Sequence, residues 1–267
     1  MKRLHFSLFV LVFLTSFVFP PTFHSVNAQE ETTIHISTAE ELSKIGNHED
    51  YPLNGHYQLM NDIDMGSSGN WTPIGTNWVA FSGTFDGNGH TISKLTVYDP
   101  MSDYKGLFGG IGVSGIVRNL QITSASVTGH IYVGILAGVN YGSITKVAVH
   151  GVVSGARGIG GLVADNRGMI ANSYTIATLT GYAGVGGLVS INNYEEIINS
   201  SYSASYAGDI VIPASGGIVG INNGTVSNSY YDSTVSGRND TSKGGIPLTT
   251  TQMKSESSFS TWDFSHT

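Results

Sequence analysis

The chain has 267 residues, no cysteine and a formal net charge of −7. This acidity argues against nucleic acids and anionic membrane surfaces as partners, because both are bound by clustered cations, and the lack of cysteine excludes disulfides, thiolate metal sites and cysteine nucleophiles. The 35 glycines and the 12% of charged residues are typical of tight turns between short strands, not of a helical protein.

Residues 1–28 have the features of a secretory signal peptide. Lys2 and Arg3 precede an almost wholly apolar run over 6–19, and Ala28 lies at a site with the small residues that signal peptidase selects. A membrane anchor is the alternative, but the run is shorter than the roughly 18 residues of a spanning helix. We expect cleavage after Ala28 and a secreted or cell-surface chain with no membrane insertion.

Residues 29–104 are predicted to form an N-terminal cap and the first coils of a stack. Ser37 with Glu40 and Thr38 with Glu41 form overlapping capping boxes, which indicate the start of a short helix. The first coil of a stacked fold exposes strand edges and an apolar core, and such a helix would cover them.

Two turns of this region carry acids. The segments 81–85 and 91–95 alternate as strands around 86–89, whose Asp-Gly and Asn-Gly pairs predict a hairpin turn. Asp62 and Asp64 offer oxygen ligands that would suit calcium. Their spacing fits no full calcium loop, so we interpret them as capping carboxylates and predict no metal site.

A short apolar phrase with glycine at its second position recurs five times in the region 105–240. Its period of roughly 26–30 residues is typical of a solenoid, in which each unit buries its apolar face against its neighbours. Each unit continues into a turn, a second strand and a third short segment. This pattern predicts an all-β fold, a right-handed parallel β-helix with a short N-terminal capping helix. The phrase occupies residues 105–109, 133–137, 159–163, 185–189 and 215–219.

The turn after the first strand holds an asparagine in four successive repeats. Asparagine tolerates left-handed backbone geometry, and its amide can hydrogen-bond along a stack. We therefore expect these side chains to be stacked from coil to coil. The four residues are Asn140, Asn166, Asn192 and Asn222.

The repeats resemble the GLUG motif of bacterial surface and secreted proteins. The likeness rests on 160–166, on 170–174 and on the closing Gly181. The flanking segments also resemble those that accompany GLUG repeats, and they cover 36–42, 59–64, 71–75, 81–92, 248–254 and 262–264.

The resemblance implies a role in display or binding. GLUG repeats occur in adhesin-like and filamentous-haemagglutinin-type proteins, and beside the catalytic part of immunoglobulin A-cleaving metallopeptidases. No catalytic residue belongs to the motif, so the resemblance implies none here. The remaining segment, 241–267, is predicted to be a C-terminal tail with a brief capped helix over 249–254. In such proteins the tail usually continues further, so a truncated tail is one expectation.

The positions of the histidines and acids argue against catalysis. The nine histidines include no His-Glu-x-x-His pair, which argues against a metallopeptidase. A polysaccharide lyase or hydrolase is the enzymatic alternative, and it needs carboxylates that meet on adjacent coils. Asp165 lies in the asparagine turn, whereas Glu195 and Glu196 lie elsewhere in the next repeat. Because no column holds acids in neighbouring repeats, we predict no intrinsic catalysis.

Tyrosines recur at equal intervals at Tyr174, Tyr202 and Tyr230. An outward ladder of rings could stack on sugars, but alignment with Leu120 and Ala148 in the earlier repeats predicts that this column faces the core. Other aromatic residues lie at predicted turns and loops and are the candidate ligand-binding residues. They are Tyr141, Tyr194, Tyr231 and Trp78.

Together these features predict a secreted or cell-surface β-helix for adhesion or for binding an extracellular glycan or host protein, without a cofactor. Outward polar and aromatic groups on rigid strands would make many shallow contacts, which attachment to a larger assembly multiplies. The alternatives are a polysaccharide lyase or hydrolase and a structural spacer of a larger surface protein.

Overall fold

The computed structural model describes residues 32–207, 214–259 and 262, and it shows a parallel β-solenoid. Its strands form three sheets of 15, 5 and 3 strands, in which neighbouring coils pair in parallel. The predicted all-β solenoid with three strands per repeat is therefore confirmed. The predicted signal peptide at 1–28 lies outside the described residues.

A short helix follows the first strand, as predicted. The Thr38 hydroxyl accepts from the Glu41 amide at 3.1 Å, and the Glu41 carboxylate accepts from the Thr38 amide at 3.2 Å. Glu41 also accepts from the Ser37 amide, so the second predicted box, with Glu40, does not form. Leu42 is fully buried in the main core. The elements are β1 (Thr33–Ile36), α1 (Ala39–Lys44), β2 (His56–Leu59), β3 (Ile63–Asp64), β4 (Thr84–Asp86), β5 (Thr91–Ser93) and β6 (Thr96–Tyr98).

The central coils repeat one arrangement of strands. A strand of the five-stranded sheet is followed by one or two strands of the large sheet and then by one of the three-stranded sheet. The elements are β7 (Phe108–Ile111), β8 (Ile116–Thr128), β9 (Ile131–Val133), β10 (Ala137–Asn140), β11 (Ser143–Ser154), β12 (Arg157–Gly160), β13 (Val163–Asn166), β14 (Met169–Ala171), β15 (Tyr174–Thr180), β16 (Ala183–Gly186), β17 (Val189–Asn192), β18 (Ile197–Asn199) and β19 (Tyr202–Ser203).

The last coils end in short helices. The predicted helix of the tail is present, and the Thr249 side chain caps it by accepting from the Gln252 amide at 3.2 Å. The elements are β20 (Val219–Asn222), β21 (Thr225–Ser227), β22 (Tyr230–Asp232), α2 (Ser233–Ser236), β23 (Ile246–Leu248), α3 (Thr250–Met253) and a 3₁₀ turn (Glu256–Ser258).

The turn at 86–89 is not a hairpin turn, contrary to the sequence prediction. β4 pairs in parallel with β2 and β8, and β5 pairs in parallel with β3 and β8. The two strands flanking the turn therefore do not pair with each other. Asn-Gly sequences permit positive φ, which a corner between two strands of one coil needs as much as a hairpin does.

The recurring glycine is required at a tight corner within each coil. A Cβ atom on Gly160 would lie 1.9 Å from the Val163 carbonyl oxygen, and one on Gly186 would lie 1.7 Å from that of Val189. No larger residue fits there without a backbone shift. The glycines that mark the repeat in the sequence therefore permit the tight corner of each coil.

The asparagine ladder is confirmed. Asn140 donates to Asn166 at 2.8 Å, Asn166 donates to Asn192 at 2.8 Å, and Asn192 donates to Asn222 at 3.0 Å, in each case from Nδ2 to Oδ1. The first three of these side chains are fully buried. The ladder therefore satisfies, from coil to coil, polar groups that would otherwise be buried without partners.

Candidate binding surfaces

The tyrosine ladder, Tyr174, Tyr202 and Tyr230, lies on the outer face of the large sheet. In β15 the buried positions are Thr175, Ala177 and Leu179, and Tyr174 belongs to the opposite, alternating set. The rings of Tyr174 and Tyr202 stack with centroids 4.7 Å apart and planes inclined by 4°.

The prediction that this column faces the core is wrong. Ala148 pairs with Tyr174, but its partner in the preceding coil is Gln121, whereas Leu120 pairs with Val147. The sequence alignment was thus displaced by one residue in that coil. Because strand side chains alternate between faces, a shift of one residue exchanges inside and outside.

The ladder ends abruptly at its N-terminal side, where the next residue in the column is the small Ala148. One face of the Tyr174 ring is covered by Tyr202, so its other face points toward the coil of Ala148. A pocket of about 300 Å³ lies there, and Gln121, Ala148 and Tyr174 contribute to its lining. We call it the step pocket. The His150 ring lies 5.6 Å from that of Tyr174, at 57°.

Polar side chains from a corner of the solenoid also line the step pocket. Asn119, Lys146 and Asn172 occupy equivalent positions in three successive coils, with φ of 52°, 55° and 50°. Within the described part of the chain, the side chains of Gln121, Lys146 and Asn172 make no hydrogen bond or ion pair. Amide and ammonium donors are therefore free beside the part of the Tyr174 ring that lines the pocket.

The C-terminal end of the ladder is covered, in contrast. Trp262 lies 6.2 Å from the Tyr202 ring and 5.7 Å from the Tyr230 ring, and Phe259 lies 5.0 Å from Tyr230. Tyr230 is buried as a result, whereas Tyr202 is half-buried. Burial raises the pKa of the Tyr202 phenol to about 12, and the neighbouring Tyr174 adds to the shift.

A second polar and aromatic cluster, the arginine corner, follows the asparagine ladder. It comprises Tyr141, Asp165, Arg167 and Asn193. Arg167 Nε donates to Asp165 Oδ2 at 2.9 Å, and the guanidinium lies 5.8 Å from the centre of the Tyr141 ring. Asn193 Nδ2 donates to the other oxygen of Asp165. The hydrogen bond to Asp165 raises the pKa of Arg167 further above its ordinary range.

A pair of stacked rings lies close to the arginine corner. The rings of Tyr104 and Tyr132 are 4.9 Å apart and inclined by 27°. Burial raises the pKa of the Tyr104 phenol, and the negative charges of Tyr132 and Asp165 act in the same direction. Tyr104 lies against Gly138, which precedes Val139, the residue paired with Asp165 in the next coil.

The four aromatic residues predicted from the sequence lie in different environments. Trp78 and Tyr194 are exposed by 90% and 76%, and Tyr141 is half-buried against Arg167. The prediction that Tyr231 lies at a surface turn is wrong. It is fully buried, with its hydroxyl donating to the Asp240 carbonyl at 3.0 Å, because it belongs to β22 and its side chain enters the core.

Asp62 and Asp64, the acids considered for calcium, both have hydrogen-bond partners. Asp64 accepts from Lys94 Nζ at 2.6 Å and from the Gly66 amide, and Asp62 accepts from the Thr91 amide at 2.9 Å. Asp64 thus caps its own turn, as the sequence interpretation has it, whereas Asp62 joins its turn to the following coil. Over the described ranges, no group of three or more His, Asp or Glu side chains is placed to hold a metal ion.

The possible catalytic acids do not stack across coils. The residues paired with Asp165 in the neighbouring strands are Val139 and Ile191, both apolar. Glu195 and Glu196 are consecutive residues of a single turn. Burial raises the pKa of Glu196, and the charge of Glu195 raises it further.

The comparisons with known proteins give partial matches. No family model matches the chain. It is 36% identical over 172 residues to a protein of Evansella cellulosilytica named "Putative Gly-rich membrane protein", and 41% identical over 114 residues to halomucin of Haloquadratum walsbyi. These matches cover 56% and 40% of this chain but only 19% and 1% of the relatives. In the described residues, no helix is long and apolar enough to cross a membrane.

One solved structure resembles the chain at low similarity. It is titled as a putative immunoglobulin A1 protease from Bacteroides ovatus, with a TM-score of 0.46, 16% sequence identity and 88% coverage of both chains. A similarity of this extent carries no information on activity.

Proposed function

We propose that this chain is a β-solenoid module of the cell surface or of a secreted protein, and that it binds a saccharide in the step pocket. The observation that carries the proposal is the Tyr174 ring in the pocket lining, with His150 at 5.6 Å from it and with free amide and ammonium groups beside it. The signal-like segment 1–28, the likeness to GLUG repeats, and relatives named as a Gly-rich membrane protein and a halomucin support the location.

The chemistry of the step pocket suits a sugar ring. A pyranose has an apolar face of C–H groups, which packs on an aromatic face, and a rim of hydroxyls, which need hydrogen-bond partners. Tyr174 supplies the first, and Gln121, Lys146 and Asn172 supply the second. The pocket is shallow and open, so the affinity of one site should be modest, and presentation of many copies would raise it.

Two variants test the pocket separately from the fold. Tyr174→Ala removes the ring, whereas Ala148→Tyr extends the ladder by one residue and fills the pocket. Both should abolish saccharide binding on a glycan array and in titration calorimetry. Tyr182→Ala is the matched control, because Tyr182 is 82% exposed outside the pocket. Retention of binding by Ala148→Tyr would contradict the assignment.

The same experiment separates the alternatives. A structural spacer would bind no saccharide in wild-type form. A polysaccharide lyase or hydrolase would release reducing ends or unsaturated products from pectin, alginate or hyaluronan, and alanine at Asp165, Glu195 or Glu196 would stop the release.

A further inference from the structure

Asp165 is a charged residue in an otherwise apolar column. The paired positions in the flanking coils are Val139, Ile191 and, one coil further, Ile221. Asp165 is nonetheless only 2% exposed. Burying a carboxylate costs several kcal/mol unless it is paired, and an apolar residue of similar size is often equally stable or better. The fold therefore does not require an acid at this position.

Asp165 holds the Arg167 side chain in one orientation. It accepts from Arg167 Nε at 2.9 Å, and the Tyr141 ring lies over the guanidinium at 5.8 Å. The Arg167 side chain is still 48% exposed. Its two terminal NH₂ groups have no protein partner among the residues described. The Nε side of the guanidinium is thus held by the Asp165 carboxylate, whereas its two NH₂ groups are accessible.

An immobilised guanidinium with free NH₂ groups is suited to a carboxylate. The planar fork donates two parallel hydrogen bonds to the two oxygens, and prior immobilisation lowers the entropy lost on binding. The stacked pair Tyr104 and Tyr132 supplies aromatic surface nearby, because Tyr104 lies against Gly138, next to the residue paired with Asp165.

We propose that Arg167, pinned by Asp165 and covered by Tyr141, forms a second saccharide site that recognises the carboxylate of a uronic acid. The inference rests on the proposed saccharide-binding function and adds the chemical class of the ligand. The net charge of −7 repels polyanions as a whole. Binding of a polyuronate to this protein would therefore report a specific contact and not general adsorption.

The test compares polygalacturonate with its methyl-esterified form, using the purified protein in titration calorimetry. Wild type should bind the free acid about tenfold or more tightly than the ester, as expected for charge-assisted hydrogen bonds. Arg167→Lys keeps a positive charge beside Asp165 but lacks the two parallel NH₂ donors of the guanidinium. This variant should lose most of the preference for the free acid. Arg157→Gln is the matched control, because Arg157 is exposed and has no ion pair within the described residues.

Asp165→Ile separates stability from recognition. It introduces the residue of the next coil, Ile191, so the urea unfolding midpoint should be unchanged while the preference for the free acid falls. Equal binding of acid and ester by wild type would overturn the uronate site and leave the step pocket intact. Binding of neither form would overturn the uronate site, and the glycan array would then test the step pocket by itself. Equally tight, Arg167-dependent binding of an acidic peptide would assign the corner to a protein partner and overturn the saccharide assignment.

Discussion

The side chain of Asn140 donates a hydrogen bond to that of Asn166, 26 residues later, at 2.8 Å. The two residues are also paired in register in β10 and β13. Backbone and side chain therefore specify the same alignment of the two coils. A displacement of the pairing by one residue would break the hydrogen bond between the two amides, and it would also move the side chains of the strand to the opposite face.

Replacing the second residue of this ladder should destabilise the solenoid. Asn166→Ala removes the donor to Asn192 and the acceptor for Asn140, and each buried group left unpaired costs roughly 1–3 kcal/mol. Asn223→Ala is the control, because Asn223 is exposed just beyond the ladder. The free energy of unfolding in urea measures both. Equal values for the two variants would show that the ladder contributes nothing.

Gly158 is expected to be the less replaceable of two left-handed glycines. Its φ is +67°, and a Cβ atom there would lie 2.8 Å from Tyr132 Cδ1. Gly237 has φ +64° and no heavy atom within 4 Å of such a Cβ. Both alanine variants should lose about 1 kcal/mol from the backbone conformation. Gly158→Ala should lose roughly 1–3 kcal/mol more, because it displaces the Tyr132 ring. Equal losses in thermal unfolding would rule out the steric part.

Stability should fall at alkaline pH. The pKa of Tyr202 is raised from 10.0 to about 12, so the folded state holds its proton where the unfolded chain has lost it. The corresponding stabilisation is complete below pH 10 and is lost as the pH rises through 12. Tyr202→Phe should therefore show a smaller decrease in unfolding free energy across this interval. A decrease as steep as that of wild type would remove Tyr202 as its source.

Trp262 should protect the last coils and leave the central ones unaffected. It covers Tyr202 and Tyr230, and its Nε1 donates to the Asn228 carbonyl at 2.8 Å. Trp262→Ala should cost about 1–3 kcal/mol and accelerate hydrogen exchange in β22 and β23, with little change in β10 and β13. Trp78→Ala is the control, because Trp78 is 90% exposed. Uniform acceleration along the stack would contradict a local role.

The parts of the fold that depend on local rules were predictable. The glycine at each close approach, the asparagine at each turn and the capping box at Thr38 and Glu41 are all visible in the sequence. Each of these features depends on one residue and its neighbours in sequence, and the period of the repeat indicates how the coils align. These features were sufficient to predict the all-β solenoid and its asparagine ladder.

The face of the tyrosine ladder was not predictable from the same signals. It depends on whether Leu120 or Gln121 is the residue that pairs with Ala148. The backbone turns just before them, at Asn119, which has a positive φ. One residue of that corner column is Lys146, which has no particular preference for positive φ. The register at the corner is therefore fixed by packing between coils.

The arginine corner left only a partial signal. Asp165 stood out as an acid beside the asparagine column, but nothing in the sequence showed that it is buried or that Arg167 pairs with it. Its burial follows from its position in a column with Val139, Ile191 and Ile221. That register is set by the packing of the coils and is not visible in the sequence. Tyr231 was misplaced for a similar reason, since adjacent tyrosines in a strand must point to opposite faces.

Parallel pairing between successive coils gives this molecule a particular response to mechanical load. In the main sheet, β8, β11 and β15 are joined side by side, and the backbone hydrogen bonds of each run to strands of the neighbouring coils. Tension along the chain would therefore separate the described coils one after another. Each coil that unfolds would lengthen the chain, so mechanical work would be dissipated in several small steps instead of in one rupture.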